Sequence, residues 1–272
     1  MKKFWYGILI FCILNFYGCA GLGRLQKYPS AAGLKVKEIT IEPPQDELRV
    51  GEKLIYTIRW LGIPVGTLSL QVKTKGTLLD EKEVYQLVGQ VHSNAFLSHF
   101  YRIDDFYQSY MDAQNHFSRR FEKKVSEGRY KAEEVVTFYP DQKKGVYYAP
   151  KKNETKEFAI PGAIQDILSC IYYFRVSPFQ TSTDFVFPVV SDEKVWQVTM
   201  KTVEQGILEV RNLGVHEAFL IEPIAVLLNL PNKSPKGKIW IWFSADKKRI
   251  PLIIRGEMAR IGEIIVTLEA IE

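Results

Sequence analysis

The stretch LIYTIRWLGIPVGTLSLQV, residues 54–72, carries the pattern on which the fold reading turns. Leu54, Tyr56, Ile58 and Trp60 alternate with Ile55, Thr57 and Arg59, and Leu68, Leu70 and Val72 alternate with Ser69 and Gln71. A period of two puts one set of side chains on each face of a strand. Between the two runs, Gly62, Pro64 and Gly66 supply turn chemistry, so the stretch reads as a hairpin.

Working outward, further period-two runs occupy residues 84–92, 106–111, 135–139, 195–203, 239–243, 250–254 and 264–270. Many short strands joined by turn residues predict a mainly β protein, with antiparallel sheets in a sandwich or open barrel. One helix interrupts the pattern. Ile164, Ile167, Leu168, Ile171 and Tyr172 fall at i, i+3, i+4, i+7 and i+8, which predicts an amphipathic helix over about 163–175. A shorter helix is expected over about 95–101, capped by Ser93 or Asn94. No repeat or low-complexity linker divides the chain, so residues 36–272 read as a single domain.

The N-terminus sets the compartment. Lys2 and Lys3 precede a nearly unbroken apolar run from Phe4 to Phe16, the layout of a secretory signal. The run is shorter than the roughly 20 residues that span a bilayer. Its exit, Phe16-Tyr17-Gly18-Cys19, resembles the bacterial lipobox. Residues 1–18 therefore read as a lipoprotein signal peptide, Cys19 as the lipidated mature N-terminus, and residues 19–35 as a tether. Several acyl chains on one residue anchor stably where one would be marginal. Ala20 at the next position, rather than Asp, points to the periplasmic face of the outer membrane in a host with two membranes. Cys12 leaves with the signal and Cys19 is acylated, so Cys170 is the remaining thiol and no internal disulfide is expected. Loss of Lys2 and Lys3 takes the net charge from +5 to +3, too mild to imply nucleic acid. The basic clusters Arg119-Arg120, Lys123-Lys124, Lys151-Lys152 and Lys247-Lys248-Arg249 read as solvated turns and strand faces, with contact to anionic headgroups or lipopolysaccharide as the alternative.

The chemistry-bearing residues form no recognised set. The histidines His92, His99, His116 and His216 make neither HxH nor HExxH, and no nucleophile elbow, Walker loop or dinucleotide fingerprint is present. His92, His99 and the pair Asp104-Asp105 could approach one another in space, but their spacing is not a recognised metal set. Asp104 and Asp105, as adjacent strand residues, face opposite ways, against an acid/base pair. No catalytic residue, metal ligand or cofactor is expected. Cys170 is expected to pack as an inert buried thiol. The aromatic pattern is more suggestive. In KIWIWF, residues 238–243, Ile239, Ile241 and Phe243 share one face while Trp240 and Trp242 share the other. Both faces need cover. The second face either packs into a thick aromatic core or lines a groove for acyl chains. The groove reading takes Trp240 and Trp242 as lining, with Tyr56, Trp60, Phe106 and Tyr110 added.

Several segments in order carry a resemblance: GEKLIYTIRWLGIPVGTLSLQV (51–72), YRIDDFYQSYMD (101–112), KKVSEGRY (123–130), QDILSCIYYFRV (165–176) and GKIWIWFSADKKRIPLIIRGEMARIGEIIVTLEAI (237–271). Together they resemble the bacterial secreted family called domain of unknown function 3108, from about Gly51 to Glu272. The resemblance implies an exported, mostly β protein and brings no activity or catalytic residues. The leading expectation is a non-enzymatic envelope lipoprotein that binds a lipid, lipoprotein or other amphipathic molecule. The alternative is a structural or adaptor lipoprotein holding envelope proteins through sheet edges and basic turns. An uncharacterised hydrolase-type enzyme stands third.

Overall fold

The computed structural model describes residues 35–45, 47–77, 81–229, 237–258 and 261–272. The signal peptide, Cys19 and nearly all of the tether lie outside the described residues. The strands run in chain order as β1 (Lys35–Val36), β2 (Lys53–Trp60), β3 (Ile63–Thr77), β4 (Glu83–Ser93) and β5 (Asp104–Asp112). Next come β6 (Ser118–Glu127), β7 (Tyr130–Tyr139), β8 (Lys144–Ala149), β9 (Glu154–Ala159) and β10 (Gln165–Asp166). The remainder are β11 (Phe185–Ser191), β12 (Lys194–Val210), β13 (Gly214–Leu227), β14 (Gly237–Ser244), β15 (Pro251–Met258) and β16 (Gly262–Ile271). Two helices accompany them: α1 (Ala95–Phe100) after β4, and α2 (Ser169–Val176) after β10.

The strands form one sheet in the order β10-β11-β12-β13-β14-β15-β16-β2-β3-β4-β5-β6-β7-β8-β9, with β1 added against β12. All pairings are antiparallel except β10 with β11. The expected mainly β, open-barrel architecture is therefore present. Hydrogen bonding does not close the ladder. Instead, the β10 end folds over onto β5 and β6, joined by side chains and by one backbone bond from Ser118 N to the Ile164 carbonyl at 2.8 Å. Asp166 on β10 accepts from the Ser109 hydroxyl on β5 and the Ser118 hydroxyl on β6, each at 2.5 Å. Lys123 on β6 reaches Asp192 in the β11–β12 turn at 3.5 Å, and Lys156 on β9 reaches Glu193 at 3.4 Å. This seam protects edge groups that would otherwise invite pairing with another chain.

The concave face wraps α2. Phe174 sits at the centre, with ring centroids 4.8 Å from Phe243, 5.0 Å from Phe179 and 6.4 Å from Phe219. The helix is buried nearly all round and is shorter than the periodicity predicts. Residues 163–168 are not helical, because Asp166 is held in the sheet and its carboxylate accepts from the backbone N–H groups of Leu168 and Ser169. That local bonding turns the chain before the helix begins. The short helix matches its expected place, and Asn94 is its cap, accepting from Leu97 N at 2.9 Å.

The sequence reading passed over β6, β8, β9, β11 and β13, as well as the two-residue strands β1 and β10. β6 is the most instructive. Its alternating apolar residues, Phe121 and Val125, are outnumbered by charges, and one of those charges points inward. Lys123 is buried and pairs with Glu134 at 2.8 Å as well as Asp192. The reading of that basic cluster as a solvated face is corrected for Lys123. Burial alone would lower its pKa, but the two carboxylates outweigh it and hold the ammonium above its usual value.

Candidate functional site

Register places each aromatic residue that the groove reading nominated. One row across the sheet runs Trp242, Ile253, Thr267, Thr57. The next runs Ile241, Ile254, Val266, Ile58. Paired residues share a face, so Trp240 and Trp242 lie opposite to the face that carries Tyr56, Ile58 and Trp60. Tyr56 continues through Leu68 and Val91 to Asp105, which puts Phe106 and Tyr110 on the outer face. Five strands separate them from the tryptophans in sheet order. The six residues do not line one groove.

The tryptophans nonetheless are covered. Beyond its pairing with β14, the long β12–β13 hairpin continues past the end of that strand. Leu208, Val210, Ala218 and Leu220 share the outer face with Trp242, and all are buried. The hairpin tip returns to the sheet, where Asn212 Nδ2 donates to Glu269 Oε2 on β16 at 3.0 Å. Trp240 and Trp242 are 3 % and 1 % exposed, and neither indole N–H meets an acceptor among the described residues. They act as apolar bulk. Tyr56 is wholly buried, its hydroxyl donating to the Pro251 carbonyl at 2.9 Å, and burial pushes its phenol well above the usual range. Phe106 and Tyr110 are half-buried.

Of the nominated residues, Trp60 borders an apolar pit. Its Nε1 donates to the Ile261 carbonyl at 2.7 Å, and Ile58, Leu97, Ile103 and Ile264 complete the wall. The void measures about 30 Å³. That is room for about two waters and far short of an acyl chain. Leu97, the buried residue of α1, is part of its lining.

The surroundings of this pit are unusual. Strands β15, β16, β2, β3, β4 and β5 are sequential neighbours, so their hairpin connections alternate between ends of the barrel. The β15–β16 turn, the β2–β3 turn and the α1 connection share one end. Leu61, Ile63, Phe96 and Phe100 stand there, 61 %, 54 %, 58 % and 74 % exposed. The two phenylalanine rings, one helical turn apart, touch edge to face at 5.9 Å. Leu61 has φ +48° and Gly62 φ +83°, a two-residue turn with both positions left-handed. Asn or Gly normally fills the first position. A leucine held there costs about 1–2 kcal/mol, and it keeps most of its side chain in solvent.

Other chemistry gathers at the seam. Asp166 accepts four hydrogen bonds, from two hydroxyls and two backbone N–H groups. Burial raises its pKa against those bonds. Its neighbours are serines, with no histidine among the bonded groups, and its acceptor capacity is used structurally. Cys170, expected to be an inert buried thiol, is buried and donates weakly to the Ile167 carbonyl at 3.3 Å. Burial, then the nearby Asp166, pushes its thiol far above the reactive range. His92 and Asp104 do meet, with Nδ1 3.0 Å from Oδ1, on the exposed face. Asp105 points the other way and accepts from Ser126 N at 2.9 Å. Among the described residues, no three His, Cys, Asp or Glu side chains gather as a metal site.

The residues that sequence reasoning missed are Leu61, Ile63, Phe96 and Phe100. A signal existed in AFLSHF, where two phenylalanines sit at i and i+4 on a helix too short to bury both.

A curved, mostly antiparallel sheet wrapped on a buried helix, filled by its own side chains, defines a barrel-like β protein. The chain belongs to the DUF3108 family, described as a protein of unknown function, which it matches over residues 55–269. In fold it is similar to the crystal structure of a beta-barrel-like protein of domain of unknown function DUF1849 from Brucella abortus. The TM-score is 0.54 at 10 % identity, covering 82 % of this chain and 97 % of that one. A candidate lipoprotein from Parabacteroides distasonis aligns at TM-score 0.34 and 10 % identity, over 87 % of this chain and 100 % of the other. No curated protein matches the chain.

Proposed function

We propose that this chain is a lipid-anchored protein of the cell envelope that works through surface contact rather than catalysis. The observation that carries the reading is an interior filled by side chains beside an exposed apolar rim of Leu61, Ile63, Phe96 and Phe100. Enclosure of a ligand calls for a cavity of several hundred Å³, and the pit under Leu97 is an order of magnitude smaller. The adaptor alternative thus gains over the lipid-carrier expectation. The anchor follows from the signal and Cys19, with the periplasmic face of the outer membrane as its place. Neither a cofactor nor nucleic acid enters the reading.

A photo-crosslinking residue at Phe100, compared with one at the exposed Val215 on the β12–β13 hairpin, tests it in growing cells. Adducts from position 100 with none from position 215 are expected. Equal or absent crosslinking at both would remove the rim as the contact surface. A second reading, a carrier that admits one acyl chain by displacing Leu97, is favoured by the wholly apolar wall of the pit. Native mass spectrometry of the protein from its host would support it by finding one lipid per chain.

A further inference from the structure

We infer that the apolar rim rests on the lipid bilayer in which Cys19 is anchored; this builds on the surface-contact reading above. Three observations bear on the partner. The rim gathers four large apolar side chains from two connections at one end of the barrel, with no covering segment among the described residues. Leu61 keeps a backbone conformation unfavourable for leucine while most of its side chain stays in solvent. A residue that gains so little from packing inside the protein gains when an apolar phase receives it. Just inside the rim, Trp60 is half-buried with its N–H bonded to a turn carbonyl, and an amphipathic ring of this kind suits the headgroup level.

The length of chain before the barrel permits the contact. The described chain begins at Lys35, which pairs with Ile207 near the β12–β13 tip, at the end opposite to the rim. The sixteen residues from Cys19 through Leu34 reach at most roughly 55 Å. The eight residues of β2 span roughly 26 Å from one end of the barrel to the other. An anchored chain can therefore lay its rim on the same membrane. Four side chains would bind a free protein weakly, but the tether makes the encounter intramolecular and raises the effective concentration. A protein partner is the competing occupant. It would be expected to bring charge complementarity, whereas among the described residues beside α1 Arg102 and Asp104 lie 3.8 Å apart and His92 is hydrogen-bonded to the same carboxylate.

The test uses the mature acylated protein, purified from membranes and reconstituted into vesicles of phosphatidylethanolamine and phosphatidylglycerol. Phe100→Cys and Val215→Cys are each labelled with an environment-sensitive fluorophore; Cys170 is buried and stays unlabelled. A nitroxide-bearing lipid should quench the label at 100 several-fold more than the label at 215. In the unacylated Cys19→Ser chain, Phe96→Ser with Phe100→Ser should weaken vesicle binding about tenfold, from lost apolar burial. Thermal midpoints should stay unchanged, because both rings are exposed. Equal quenching at both positions overturns the inference. If position 100 still crosslinks to a protein in cells, the surface-contact reading survives that result; if it crosslinks to nothing, both fall.

Discussion

Arg175 on α2 and Glu52 before β2 lie 123 residues apart in sequence and form a two-pronged ion pair, with Nη1 2.7 Å and Nη2 3.0 Å from the carboxylate oxygens. Both side chains are essentially inaccessible. Arg175 Nε also donates to the Lys248 carbonyl at 3.0 Å, so one guanidinium ties the helix to the start of β2 and to the β14–β15 turn. Glu52→Ala should destabilise the fold by about 3–5 kcal/mol, because it strands a buried charge. The double variant Glu52→Leu with Arg175→Met should recover most of that loss. Denaturant unfolding of the three proteins checks it, and a double variant as unstable as the single one would contradict the account.

Asp112 gives the acid behaviour a sign. Burial would raise its carboxyl, but the N–H groups of Asn115 and Gln114 and the Arg119 guanidinium outweigh it, and the pKa is held below 3.8. A group depressed in the folded state adds stability above its unfolded value and loses it as pH falls through the folded one. Asp112→Asn should therefore be less stable than the parent at neutral pH, and the gap should narrow below about pH 4. Thermal melts across pH measure the gap; one that widens in acid would reverse the sign.

Trp240 and Trp242 should behave as core residues. Either ring cut to Ala should cost about 3–5 kcal/mol. Trp242→Phe should cost far less, since it keeps most of the bulk and removes an N–H that has no acceptor. Calorimetry decides this. Stable Ala variants would mean that the outer face is not packed.

Cys170→Ala should cost only about 1 kcal/mol, from a small loss of packed volume. A thiol reagent should fail to modify the native protein and react only after unfolding. Rapid labelling of the folded chain would refute the inert-thiol assignment.

The hairpin at 54–72 was legible because one side of it is buried and the other is not, and alternation records that directly. Period-two alternation also gave β4, β5 and β16, whereas β14, buried on both faces, showed as isoleucine alternating with tryptophan. It missed β6, where Lys123 takes an inward position that only its partners Glu134 and Asp192 make tolerable. It overextended α2, since a helical stripe in 164–172 does not reveal that Asp166 is bonded to two other strands.

The sequence by itself determined the strand-rich class, the place of both helices, the burial of Cys170 and the opposition of Ile241 to Trp242, all of which follow from local periodicity. Only the tertiary structure decided which faces are shared between distant strands. Trp60 and Trp242 look equivalent within their own runs, yet register across β15 and β16 sets them on opposite sides of one sheet. It also decided that a hairpin covers the tryptophans while Phe96 and Phe100 stay exposed. Burial is a sum over neighbours brought together by the whole chain, and no local pattern contains that sum.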